Sequence, residues 1–327
     1  MGIVLITGVG GFVGSHVLER ILTHTDHDVI GVDSWRHNGV PTHLSTILNT
    51  TQRANRVTVI THDLTAPFDL RQRRQLWEVT HVINVASRCS VDESLVDPAS
   101  FVRNNIDLML EILEWARRPR RHQLELFIHM STDEVLGADR LMEPHWHRPS
   151  SPYAASKAAQ EDLCRAYSAT YDLPIKIVTS ANMFGERQSH LAFIPQIVRA
   201  LVNNRVISVH TARDGTMGSR HYSYVRNVAD RIVALLDVDV RPGRMVLAGQ
   251  ENIGNRDLVE RIARIVGVEA RIREVPGDRI RPGYDSQYPQ LPTFGVHWAD
   301  AAKLTPVDEA LANTVAWAVD NERAGSL

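Results

Sequence analysis

A doubly wound α/β domain followed by a smaller C-terminal lobe is the architecture the sequence predicts, on three observations. Short β-branched runs alternate with stretches of helical periodicity from the N-terminus to about Ser180. Those runs are continuously apolar, as strands covered on both faces of a parallel sheet are. Beyond Ser180 the alternation loosens into shorter runs and polar turns, which fits a second lobe packed on the first.

The elements follow in order. "IVLIT", "DVIGVD", "RVTVITHD", "HVINVAS", "LELFIHMS" and "IKIVTS" read as six strands. Between them "FVGSHVLERILTH", "PASFVRNNIDLMLEILEWARR" and "SPYAASKAAQEDLCRAYSATY" carry apolar residues at helical spacing. A helix is expected near 228–237 and a strand at "RMVLAG". Two amphipathic helices, "NRDLVERIARIVG" and "VDEALANTVAWAVDN", flank the Pro/Gly-rich "VPGDRIRPGYDSQYP". No repeat, low-complexity tract or long linker separates the lobes, so a cleft between them is the expected ligand site.

Composition narrows the function classes. A chain of 327 residues with 43% hydrophobic and 23% charged content can bury a large core. A net charge of −2 gives no general attraction to nucleic acid or to an anionic membrane. The apolar start breaks at glycines before a signal or membrane span could complete. Cys89 and Cys164 lack CxxC or paired Cys/His spacing, so neither a disulfide framework nor structural zinc is expected, and a cytoplasmic setting fits. "HWH" at 145–147 has alternating positions beside a proline and does not suggest a metal site.

"TGVGGFVG" places Gly8, Gly11 and Gly14 between a strand and a helix, with Phe12 and Val13 inside the same turn. Missing Cβ atoms allow a tight turn and close approach of a pyrophosphate, and the helix N-terminus supplies amides and a favourable dipole. Asp33 closes the second strand about twenty residues on, where a carboxylate can accept from an adenosine ribose hydroxyl. It repels a 2′-phosphate and points to NAD, while Arg36 leaves NADP open. Asp63 and Leu64, in "HDL", are placed to flank the adenine, although an ordinary turn explains them as well.

"YAASK" puts Tyr153 and Lys157 on one helix face. A nearby ammonium lowers a phenol's pKa and makes Tyr153 a usable base for an alcohol proton. Of 36 basic residues only Lys157, Lys176 and Lys303 are lysines, so one at this position is informative. "STDEVLG" follows the fifth strand and sets Thr132, Asp133 and Glu134 side by side.

With these residues the chain resembles the extended short-chain dehydrogenase/reductase family, particularly its nucleotide-sugar 4,6-dehydratases of the dTDP-glucose type. The likeness spans nearly the whole chain and includes "SVDESLVDPASFVRNNI", "RPSSPYAASKAAQEDL", "NMFGERQ", "SRHYSYV", "AGQENIGNRDLV" and "RPGYDSQY". It implies a Rossmann-type doubly wound parallel sheet with a smaller C-terminal substrate-binding lobe. Residues 1–180 plus about 221–248 would bind NAD, and about 181–220 with 249–327 the nucleotide sugar. The Thr-Asp-Glu triplet separates the family's dehydratases from its epimerases. The resemblance implies Tyr153 and Thr132 at the C4 hydroxyl, Glu134 as C5 base and Asp133 as acid for the departing C6 hydroxyl. It also implies Ala86 at the cofactor, Ser90, Asn182, Arg220, Asn255 and Arg281 at the substrate, and a homodimer.

Departures fall at the substrate end. Leu191 and Ala192 stand where the family commonly has Glu-Lys, Arg88 and Ser90 where it has Glu and His, and His221 where it has an acid. Arg88 is read equally as a replacement charge or as half of a structural ion pair. A 4-epimerase, a decarboxylase or a catalytically silent nucleotide-sugar binder would share the cofactor motifs. Each has less need of an Asp-Glu pair.

Overall fold

Seven parallel strands in the order β10-β6-β5-β4-β1-β2-β3 form the central sheet. They are β1 (Ile3–Thr7), β2 (Asp28–Asp33), β3 (Val57–Thr61), β4 (Val79–Asn84), β5 (Leu126–Thr132), β6 (Ile175–Ser180) and β10 (Gly243–Leu247). The computed structural model describes residues 2–119, 121–137, 147–212, 214–238, 241–277, 286–287 and 304–323. Strand order reverses between β1 and β4, and ligands of open α/β sheets bind outside the strand C-termini at such a point.

Helices cover both faces because the strands are apolar on both. On one face α1 (Phe12–His24), α2 (Pro41–Thr51) and α8 (Val225–Val233) bury Val17, Ile21, Ile47 and Ile232 against the sheet. On the other, α5 (Pro98–Ala116) and α6 (Pro152–Tyr171) bury Met109, Ile112 and Cys164. Short α3 (Leu70–Gln75) and α4 (Val91–Val96) fill the connections, each capped by the residue before it, Asp69 and Ser90.

The second lobe has its own core of Phe184, Ile197, Tyr224, Leu258 and Leu311. It comprises β7 (Asn182–Phe184), α7 (Phe193–Val202), β8 (Ile207–Thr211), β9 (Ser219–Tyr224), β11 (Glu251–Gly254), α9 (Asn255–Val266), β12 (Ile272–Pro276) and α10 (Val307–Arg323). β9 pairs with β7 and β11, so it belongs to this lobe. The chain therefore returns to the large domain within α8, where Val225 still belongs to the second lobe's core and Val228 is the first residue of this segment in the large one, later than the expected 221; α8 itself starts earlier than the expected 228.

Charged side chains join the lobes beside the cleft. Arg187, just after β7, pairs with Glu19 of α1, and Arg226 bridges Glu19 at 3.2 Å and Glu186 at 3.1 Å. The Tyr224 hydroxyl donates to Glu186 at 3.0 Å. No helix among the described residues is long and apolar enough to cross a membrane.

Candidate active site

A cleft of ≈ 1350 Å³ opens at the switch point and is walled by Gly8, Gly11, Phe12, Val13, Gly14, Asp33, Asp63, Leu64 and Ala86. Tyr153, Lys157 and Asn182 line it further on. It thus gathers the expected cofactor residues and the helix pair in one space.

The cradle fits a dinucleotide on its own geometry. Gly8 has φ +69°, and a Cβ there would stand 3.0 Å from Ala86 Cα; a Cβ on Gly14 would meet the Gly8 carbonyl oxygen at 2.1 Å. Only glycine lets α1 start this close to β1, with its first-turn amides toward the cleft. The Asp33 carboxylate, 8% exposed, accepts from Gly10 N at 2.9 Å and from Trp35 N at 2.9 Å. These amides fix it on the cleft wall, and a carboxylate's four lone-pair sites leave room for a ribose hydroxyl. Arg36, the cation that left NADP open, pairs with Asp63 at 2.5 Å.

The catalytic end is assembled from β5 and α6. Thr132 ends β5, caps the turn Asp133–Leu136 by accepting from Glu134 N at 3.3 Å, and hydrogen-bonds Tyr153. Ser151 caps α6 and sets Tyr153 in its first turn. Asp133 is 7% exposed, whereas Glu134 is only half-buried. Burial pushes the Tyr153 phenol well above its usual value, helped by the Glu134 carboxylate and the Cys89 thiol, against the Thr132 hydrogen bond.

That net direction differs from the one expected from a nearby ammonium, because burial dominates. The Lys157 ammonium donates to the Met130 carbonyl at 2.7 Å and to Gln160 Oε1 at 2.7 Å, and burial brings its pKa down to about 8. In the protein alone, burial and neighbouring acids set the direction for Tyr153.

The substrate-end residues separate. Asn182 is on the cleft wall, but Ser90, Arg220 and Asn255 are not among its lining residues, and neither are Thr132, Asp133 and Glu134, whose turn follows Ser131 of the wall. Ser90 instead caps α4, accepting from Glu93 N at 3.1 Å. Arg220 donates to the Ser219 and Ser286 carbonyls at 2.8 Å, and Asn255 donates to the His210 carbonyl at 3.2 Å, so both sit at one corner of the second lobe. Arg281 lies outside the described residues, as do His145 and Trp146 of "HWH". His147 pairs with Glu161 at 2.8 Å, and no metal-ligand cluster occurs among the described residues.

Arg88 lines the cleft and also pairs with Glu93 at 3.3 Å, its guanidinium 4.7 Å from the Phe101 ring centre. Ala192 is on the wall and Leu191 is exposed at 58%. Sequence reasoning missed Cys89, Ser131, Met183 and His190 on the wall, and Asn105 and Gln160 behind it. The helical spacing of Gln160 from Lys157 was the one signal available for any of them.

Comparison with known proteins agrees with this geometry. The model of the NAD dependent epimerase/dehydratase family matches residues 4–249. A probable dTDP-glucose 4,6-dehydratase of Sinorhizobium fredii is 28% identical over 97% of this chain and 93% of its own. The Escherichia coli dTDP-glucose 4,6-dehydratase is also 28% identical, over 87% and 84%. Among solved structures, the Streptomyces venezuelae dTDP-glucose 4,6-dehydratase DesIV, with NAD and TYD bound, superposes with a TM-score of 0.82 at 25% identity, covering 98% of both chains. The Bacillus cereus UDP-glucuronic acid 4-epimerase has the same fold, with a TM-score of 0.82 at 22% identity over 97% and 99%. With the glycine turn, the strand-end aspartate and the Tyr-Lys pair all on one cleft, the chain belongs to the NAD dependent epimerase/dehydratase family.

Proposed function

We propose that the protein is a nucleotide-sugar 4,6-dehydratase, converting a nucleoside diphosphate hexose to its 4-keto-6-deoxy form. The observation that carries this reading is the Asp133-Glu134 pair, held by the Thr132-capped turn against Tyr153. An epimerase acting at C4 needs no base for C5 and no acid for C6.

Bound NAD⁺ supplies a reversible hydride acceptor, which lets C4 become a ketone and C6 later be reduced. Tyr153, hydrogen-bonded to Thr132, takes the C4 hydroxyl proton as its phenolate, and Lys157 on the same helix face, with the positive nicotinamide ring that NAD⁺ would bring, supplies the charge that offsets burial. The ketone acidifies the C5 hydrogen, which Glu134 removes. Asp133 gives its proton to the C6 hydroxyl, which leaves as water, and Glu134 returns a proton to C5. The acid role is assigned to Asp133, the carboxyl that is 7% exposed. Asn182, on the cleft wall, is assigned to the nucleotide diphosphate; Arg220, Asn255 and Arg281 keep the diphosphate role that the resemblance implies, with Arg220 and Asn255 off that wall in the protein alone.

The test is incubation with dTDP-, UDP-, GDP- and CDP-hexoses and NAD⁺, followed by mass spectrometry. Loss of one water from a hexose supports dehydration. Unchanged mass with inverted stereochemistry, loss of carbon dioxide from a uronate, or binding without turnover would each replace this reading with another.

A further inference from the structure

An ammonium has three N–H donors, and Lys157 commits two of them inside the protein, to the Met130 carbonyl and to Gln160 Oε1. Gln160 lies three residues further along α6, so the two side chains are neighbours on one face. It is 0% exposed and is not among the cleft-lining residues. Its Nε2 donates to the Asn105 carbonyl of α5 at 2.6 Å. Asn105 is itself pinned, accepting from Arg88 N at 2.9 Å and donating to Ser156 Oγ at 2.9 Å. This chain of partners fixes which way the Gln160 amide points. Flipping it would set an NH₂ against the ammonium and an oxygen against a carbonyl.

We propose that Gln160 is a positioning residue: its amide oxygen holds the Lys157 ammonium charged and turned so that the third N–H faces the cleft. The inference rests on reading Lys157 as the cation of the catalytic pair. A lysine buried this deeply loses affinity for its proton, and burial does lower the Lys157 pKa, to about 8. A hydrogen bond to the charged form opposes that loss. Without it, the site would lose its cation closer to neutral pH, and the ammonium would be free to rotate away from the cofactor.

The scarcity of lysine makes the proposal directly measurable. With only three lysines in the chain, protein labelled with ¹³Cε-lysine gives three side-chain signals, and Lys157→Arg identifies the one that matters. Gln160→Met keeps the volume and removes the acceptor. It should lower the Lys157 titration midpoint by about one pH unit, the scale of one hydrogen bond to a charged group. The alkaline loss of NAD⁺ affinity, followed by calorimetry, should move down with it. Gln160→Glu sets a carboxylate beside the ammonium and should raise the midpoint. A folded Gln160→Met protein with an unchanged midpoint overturns the proposal, as does a Gln160→Glu midpoint that stays put or falls. Neither readout needs turnover. Failure of every sugar in the substrate panel would leave this inference standing, and an unchanged midpoint would sink it while the dehydratase reading survived.

Discussion

Asp133 and Glu134 leave one short turn in different settings, the first buried and the second half-open. That contrast makes the two roles separable by isosteric substitution. Glu134→Gln should leave Tyr153 able to take the C4 hydroxyl proton while C5 exchange with D₂O stops, so reduced-nicotinamide absorbance should persist in a single turnover. Asp133→Asn should keep C5 exchange but slow water loss by about 10²-fold, the usual scale for one general acid. Normal turnover by Glu134→Gln would remove the pair from the chemistry. At this scale, legibility depended on how local the chemistry is. Gly8, Gly14 and Asp33 declare themselves because a tight turn and a strand-end carboxylate are properties of adjacent residues. Gln160 and Asn105 were silent, since their meaning arises only where α5 meets α6. The raised pKa of Tyr153 is equally silent in the sequence, because it comes from burial and from the Glu134 carboxylate, and both depend on how the turn after β5 packs on α6.

α5 and α6 lie side by side on one face of the sheet, and their inner faces are spent on the core. Val102, Ile106 and Ala159 remain only half-buried along the same two helices. Pairing this surface with a second copy would cover it as a four-helix interface, so a homodimer is the expected state. Light scattering at micromolar concentration should give about twice the 36.7 kDa chain mass, and Ile106→Glu should move the population toward monomer. A wild-type monomer at all concentrations would leave the apolar faces to core packing alone. These long helices were legible because nineteen or twenty residues of sustained period leave no competing assignment. α2, "PTHLSTILNTT", was not, as its threonines favour strands and turns and it buries only Leu44 and Ile47. The strands β7 and β11 span 3 and 4 residues, too short to show any period.

At the scale of the molecule, the sheet and the cleft were legible but the seam between lobes was not. β9 reads like a return to the large domain, yet its ladder with β7 and β11 holds it in the small one. What closes the seam is a charge network drawn from residues far apart in sequence, centred on Glu19. Its carboxylate pairs with Arg187 and Arg226, which are 10% and 32% exposed. Burial works against the charged carboxylate, but the two guanidiniums outweigh it and hold its pKa below the usual 4.5. A depressed acid stabilises the fold above its unfolded pKa, near 4.5, and that contribution is lost as pH falls through the lower folded value. Glu19→Gln removes the carboxylate that the two guanidiniums share, while Arg226 keeps Glu186. It should therefore cost about 2 kcal/mol at pH 7, below the full penalty for breaking a buried pair because Glu19 is 24% exposed. Calorimetric melting of both proteins at pH 7 and again below pH 4 tests this, and the gap between them should shrink in acid as wild-type Glu19 takes up its proton. An equal gap at both pH values would mean that the charge of Glu19 does not hold the lobes together.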